Sequence, residues 1–382
     1  MAGYSVKRKI CYVSGTRADF GLMSETLTAV HKSPSLSLSV IVTGMHLSKK
    51  YGNTVNDIEA VGLPIDARVH VDVDTTNGAA MARNLGKMLT GFVDALLHLQ
   101  PDLLMVLGDR GEMLAAALAA VHLNIPVVHI HGGERSGTID ESIRHAISKL
   151  AHFHFVATLE ARERLVRMGE QAENVHITGA PGLDGIEALV TKNRQQLSLE
   201  IGFNPERPVA LMIYHPVMQE AESASDGAFN ILSALKKRGV QTIAIKPNSD
   251  AGSDGIRTLL ESRANSADLH VLTHFPRASF VSWMAAADMM IGNSSAGIIE
   301  AASFGTPVVN VGTRQNLRER NKNVIDTGID EASISSAIEQ ALRFGRMAFD
   351  NIYGDGKTAV RIVSLLESLV LHPNILMKSN AY

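Results

Sequence analysis

The chain has 382 residues, a net charge of −3, 20% charged and 45% hydrophobic residues, and one cysteine. That length suits two domains of roughly 180 residues rather than one core, and scattered basic residues argue against a nucleic-acid surface. Cys11 alone excludes an internal disulfide, no window nears the ~20 apolar residues of a bilayer span, and the short polar start is no signal peptide; a cytoplasmic protein is expected.

β-rich runs occur at Ile10–Ser14, Leu38–Val42, Ala67–Val71, Leu103–Leu107, Val127–His131, Phe153–Ala157 and Val175–Thr178. Between them lie helically spaced segments such as Ala79–Leu99, Glu112–Leu123, Ile143–Leu150 and Leu159–Met168. Strands that are apolar almost throughout, alternating with helices, predict a parallel sheet covered on both faces. Gly179–Asp184, with its Gly-Ala-Pro-Gly, breaks the rhythm and reads as a hinge. A second series follows at Val209–Tyr214, Thr242–Lys246, Leu269–Thr273, Met289–Ile291 and Val308–Val311. The expected architecture is α/β, two doubly wound Rossmann-like domains with a cleft between them. Residues 1–183 would form the N-terminal domain, 184–364 the C-terminal one, and 365–382 a helix or tail packing back on the N-terminal domain.

Ligands of open α/β sheets bind beyond the carboxyl ends of the strands, so the residues there matter most. The first half presents Gly15-Thr16-Arg17-Ala18-Asp19-Phe20-Gly21, then Gly108-Asp109-Arg110-Gly111-Glu112, then His131-Gly132-Gly133-Glu134. The segment Ser136 to His145 follows, carrying Asp140 and Glu141. The second half presents His215, Lys246, Asn248, His274 and Arg314, together with Gly292-Asn293-Ser294-Ser295.

That last turn, between an apolar strand and a helix opening at Ala296 and Gly297, gathers hydroxyls and amides as an anion site does. Glu300, about one turn into the helix, can accept from two ribose hydroxyls; diphosphate and ribose together suggest a nucleotide-sugar pocket. A capped helix with a solvated Glu300 is the structural alternative. Acids concentrate in the first half at Asp109, Glu134, Asp140 and Glu141, as proton transfer at a sugar ring needs. For Asp109 and Asp140 the structural alternative is N-capping. His145, four residues after Glu141, could bond it, touch substrate or fill an interface; His152 and His154 read as structural.

Gly-Thr-Arg-Ala-Asp-Phe-Gly, Gly-Asp-Arg, His-Gly-Gly-Glu with Ser-Gly-Thr-Ile-Asp-Glu-Ser-Ile-Arg-His, and Gly-Asn-Ser-Ser-Ala-Gly-Ile-Ile-Glu with Phe-Gly-Thr-Pro-Val-Val-Asn-Val-Gly-Thr-Arg together resemble the hydrolysing UDP-N-acetylglucosamine 2-epimerases. The resemblance covers about residues 8 to 345 and implies the glycosyltransferase-B fold. It implies release of UDP and N-acetylmannosamine, the opening step of sialic acid synthesis. Arg17, Arg110, His215, His274, Ser294, Ser295, Glu300 and Arg314 would then hold UDP, with Asn248 near the nucleotide. Asp109, Glu134 and Asp140 would be the acid/base candidates, with His215 also counted in the catalytic set and His145 with the substrate. Gly21 stands where some relatives have Ser, so a side-chain phosphate contact there would be replaced at most by a backbone amide. No cofactor, metal, nucleic acid or membrane is implied. A homodimer or homotetramer is expected, without the kinase domain fused to animal members.

Chemistry sets the minimum equipment. The C2 hydrogen of an acetamido-sugar becomes acidic only as the C1–O bond to UDP breaks, so the site needs groups that stabilise UDP and two differently tuned carboxyls. The same reaction on UDP-diacetamido-trideoxyhexose is the nearest alternative. The non-hydrolysing epimerase is further off, since its His-Val-Glu-Ala-Gly-Leu-Arg is His-Ile-His-Gly-Gly-Glu-Arg here. A glycosyltransferase of the same fold and a non-catalytic nucleotide-sugar sensor remain as readings from other classes.

Overall fold

Strands with scarcely an exposed residue require cover on both faces, and the computed structural model supplies it twice. It describes residues 7–75, 77–136, 139–217, 224–247, 252–264, 266–273 and 275–382. The first sheet contains β1 (Arg8–Ser14), β2 (Leu36–Thr43), β3 (Ile65–Val69), β4 (Leu103–Leu107), β5 (Val127–Ile130), β6 (Phe153–Val156) and β7 (Val175–Ile177). All pairings are parallel, in the order β3-β2-β1-β4-β5-β6-β7. Its helices are α1 (Arg17–Lys32), α2 (Val55–Ala60), α3 (Gly78–Leu99), α4 (Gly111–His122), α5 (Ile139–Leu150) and α6 (Leu159–Arg167). One core lies on each face: Tyr12, Met105 and Phe155 pack with α1 residues on one side, and Val13, Leu104 and Val106 with α3 and α4 residues on the other.

The second sheet has the doubly wound order β10-β9-β8-β11-β12-β13, again all parallel. Its elements run α7 (Arg194–Ile201), β8 (Val209–Ile213), α8 (Ala224–Lys237), β9 (Gln241–Ile245), α9 (Ser253–Arg263), β10 (Leu269–Leu272), α10 (Arg277–Ala286), β11 (Met289–Gly292), α11 (Ser295–Ile299), β12 (Val308–Val311), β13 (Val324–Thr327) and α12 (Glu331–Phe344). The edge strand β13 went unread in the sequence because it is short and half-buried, with Asp326 interrupting its apolar pattern. Asp326 accepts from Asn310 Nδ2 at 2.6 Å and pairs with Arg320.

The chain divides into two units, the second comprising 135–138 and 185–352. Residues 353–382, with α13 (Thr358–Ser368), return to the first. A boundary at 364 would cut α13 in two; the return falls at 353. Ile362 and Leu366 of α13 join the core beside α1, and Asp184 accepts from the amides of Thr358, at 2.8 Å, and Ala359. Further on, Lys378 lies 2.5 Å from buried Glu170. Burial alone would raise the Glu170 carboxyl, but bonds from His154, Lys149 and Lys378 outweigh it and bring it down to about 2. Among the described residues, no helix is long and apolar enough to cross a membrane.

Candidate active site

In each sheet the strand order reverses beside the first strand, between β1 and β4 and between β8 and β11. Arg17 follows β1, Asp109 and Arg110 follow β4, His215 follows β8 and Ser294 follows β11, on either side of these reversals, where doubly wound folds bind ligands; Glu134 and Arg314 follow the next strands out, β5 and β12.

In the first unit, Thr16 and Asp19 form a reciprocal cap on α1: the Asp19 amide donates to Thr16 Oγ1 at 3.2 Å, and the Thr16 amide to Asp19 Oδ2 at 2.7 Å. The cap fixes Arg17 as the first helical residue, and its guanidinium pairs with Asp57 at 3.2 Å. Gly21 is therefore the fifth residue of α1, where an α-helix commits each amide to the carbonyl four residues back. Its expected amide contact to phosphate has no free donor behind it.

Neither acid read as a possible cap is one. Arg110 is the N-cap residue of α4, and Asp109 precedes it. Asp140 lies inside the first turn of α5. Arg110 turns onto Glu112, at 3.2 Å. Asp109 pairs with the guanidinium of Arg144, which is 1% exposed and also donates to the Glu134 carbonyl at 3.1 Å. Asp140 and Arg144 are four apart on α5 and so share a helix face. The neighbouring stripe carries Glu141 and His145, paired at 3.4 Å.

β5 ends one residue sooner than its apolar run, because His131 adopts φ +61°. A left-handed conformation at a non-glycine residue is costly and must be held by its surroundings. His131 Nδ1 is hydrogen-bonded to the Glu134 carboxylate, and both side chains are buried. Gly133 follows at φ +75°, and a Cβ there would lie 2.4 Å from the Ala161 carbonyl oxygen. Behind the pair, burial pushes the His129 imidazole down to about 3, against a raising hydrogen bond to Gly108, so the ring is neutral. Its Nε2–H donates to the Gly108 carbonyl at 2.7 Å, while Nδ1 accepts from Ser148. The structure thus gathers Asp109, Arg144, Glu134 and His131, of which the sequence reading had missed Arg144 and His131. The available signal for His131 was its place where the non-hydrolysing motif has Glu.

In the second unit, Asn293 clamps His215, the second residue after β8. Its Oδ1 accepts from the His215 amide at 2.8 Å, and its Nδ2 donates to the His215 carbonyl at 2.9 Å. The Asn293 carbonyl accepts from Arg314 at 3.1 Å and from Gln315 at 3.0 Å. His215, Arg314 and Ser294 are thereby tied to one turn. Ser294 is the N-cap of α11, accepting from the Ala296 amide at 3.3 Å, so the helix opens at Ser295. α11 has only five residues before a 3₁₀ turn, Ala301–Phe304, which leaves little macrodipole. What the turn presents is therefore hydroxyls, amides and Arg314 rather than a long helix's dipole. Glu300 closes α11, 3% exposed rather than solvated, with Arg277 at 2.5 Å. Lys246 is engaged by Glu261 at 2.6 Å. Asn248 and His274 lie outside the described residues. Among the described residues, no group of three or more His, Cys, Asp or Glu could hold a metal ion.

Gly292 makes the turn sterically possible: at φ +131°, an added Cβ would stand 2.0 Å from the Ile213 carbonyl oxygen. Gly292→Ala is expected to destabilise the fold by roughly 3 kcal/mol, combining backbone strain with an overpacked contact. Urea denaturation checks this; an unchanged midpoint would show that the turn has room.

Residues 28–367 match the family described as UDP-N-acetylglucosamine 2-epimerase. The chain belongs to this family. It is 48% identical, over 98% of its own length and 100% of the relative's, to a hydrolysing UDP-N,N'-diacetylbacillosamine 2-epimerase of Legionella pneumophila. It is 37% identical to a UDP-N-acetylglucosamine 2-epimerase of Neisseria meningitidis, over 92% of each chain. A crystal structure of a Neisseria meningitidis UDP-GlcNAc 2-epimerase bound to UDP-GlcNAc superposes with a TM-score of 0.78, covering 94% of this chain and 99% of that one at 20% identity. The fold of this family member is accordingly the two-domain Rossmann-like architecture of the glycosyltransferase-B kind.

Proposed function

We propose that this epimerase-family member is a hydrolysing 2-epimerase of a UDP-linked 2-acetamido sugar, releasing UDP and the free sugar inverted at C2. The cluster of buried Glu134, His131 and Arg144 with half-buried Asp109 carries the reading, since a mere nucleotide binder does not need two carboxylates fixed by an imidazole and a guanidinium. The preferred sugar is N,N'-diacetylbacillosamine, supported by the 48% identity to the Legionella enzyme. N-acetylglucosamine is the second reading, supported by the 37% identity to the Neisseria enzyme.

The second unit would hold UDP through Ser294, Ser295, His215 and Arg314, with Glu300 on the ribose. As the C1–O bond breaks, its electron pair leaves with the β-phosphate oxygen, and preorganised donors lower that barrier electrostatically. Glu134, hydrogen-bonded to His131, takes the C2 proton and the C2–H electrons form the C1–C2 double bond of a glycal. Water then adds at C1, losing a proton to Asp140. A solvent proton, passed on by the Asp109 carboxyl, adds to C2 from the opposite face and inverts it, while Glu134 and Asp140 give the protons they gained back to solvent.

Both nucleotide sugars offered separately in heavy water, with products read by mass spectrometry, test this. The diacetamido sugar is expected to turn over faster, and either product to carry one deuterium at C2. A free sugar retaining its original C2 hydrogen would defeat the elimination route; no free UDP would defeat hydrolysis.

A further inference from the structure

Arg277 opens α10, and its guanidinium carbon stands 5.9 Å from the Phe280 ring centroid as Nη2 reaches Glu300 Oε2 at 2.5 Å. The Glu300 side chain is 4% exposed and that of Arg277 23%. A carboxylate taken out of water without a counter-charge costs several kcal/mol, so Arg277 is what permits an acid at this position. Its planar guanidinium, beside the Phe280 ring, sets a fixed positive charge against the carboxylate, which restrains it more than a flexible ammonium would.

We propose that Arg277 is a specificity-determining positioning residue: by holding Glu300 in one orientation it makes the nucleotide site select ribose over deoxyribose. The inference rests on the proposed binding of UDP by the second unit. A carboxylate offers acceptors to two vicinal hydroxyls, and a sugar lacking one hydroxyl leaves a buried acceptor unsatisfied. That penalty operates only while the carboxylate cannot rotate away to find another partner. Arg277 supplies this restraint without touching the ribose.

Calorimetric titration of the full chain with UDP and with 2′-deoxy-UDP tests it. Wild type is expected to prefer UDP by about tenfold or more. Arg277→Gln is expected to shrink the preference to about twofold, Arg277→Lys to recover part of it, and Glu300→Gln to abolish it with no further loss on adding Arg277→Gln. A purely structural ion pair would lower the melting temperature of Arg277→Gln while the ratio stayed at its wild-type value, and that result overturns the proposal. If wild type fails to bind UDP at all, the functional reading falls with it; if wild type binds and only the ratio is unmoved, Arg277 alone is wrong.

Discussion

Glu134→Gln is expected to fold normally, bind UDP as wild type does, and turn over about a thousandfold more slowly. The substitution is isosteric, and the amide oxygen can still accept from His131 Nδ1–H, so the left-handed turn at His131 keeps its partner. What is lost is the ability to take a proton. A general base contributes about 10²–10⁴-fold, and the upper range applies when the base is buried and fixed, as Glu134 is at 4% exposure. UDP affinity should not follow, because the proposed nucleotide partners Ser294, His215, Arg314 and Glu300 all lie in the other unit. Steady-state turnover with UDP titration on the same sample separates the two. A rate near that of wild type would remove Glu134 from the proton transfers and leave His131 or Asp109 as the base.

The strand series was legible because parallel strands buried on both faces write themselves as unbroken apolar runs; β4 and β12 match their predicted limits residue for residue. Chemistry at the strand ends was legible for a related reason: glycine and charge beside an apolar run mark where the chain leaves the sheet. Partnerships formed over distance were not legible. Arg144 sits on α5 among alternating polar residues and reads as solvated, yet it is drawn inward by Asp109, 35 positions earlier in the chain. Arg277 and Glu300 meet for the same reason: Glu300 was read for its chemistry but without its partner, Arg277 was not singled out, and only tertiary packing brings them together. His131 was read as the last residue of a strand, because φ depends on what the side chain bonds to, and Glu134 was known only as a neighbour. The short α11 shows the limit of motif reading: the turn was read within a residue of its place, with the helix opening at Ser295 rather than Ala296, while the helix's length of five residues was not legible.

Arg144→Met is the sharper test of how the acids are held. The Arg144 side chain is 2% exposed and joins the Asp109 carboxylate to the Glu134 backbone, so its loss releases Asp109 and removes one anchor of the Glu134 main chain, while His131 still holds the Glu134 carboxylate. Removing one member of a buried ion pair costs about 3–5 kcal/mol; Asp109 is 26% exposed and recovers some hydration, so about 3 kcal/mol is expected. Catalysis should fall by about a hundredfold or more, the penalty for acids displaced by an ångström or so. Arg144→Lys keeps the charge but cannot serve two acceptors with one planar fork, and should restore stability better than rate. The decisive comparison is with Asp109→Asn. Alone, that change strands a buried guanidinium and should itself destabilise; combined with Arg144→Met, it should cost little more than Arg144→Met does. Denaturant melts of the two single variants and the double variant give the coupling energy, expected above about 1 kcal/mol for groups in direct contact. Strict additivity would mean that Arg144 and Asp109 are neighbours without being partners, and the acid cluster would then have to be rebuilt around Glu134 and His131 alone.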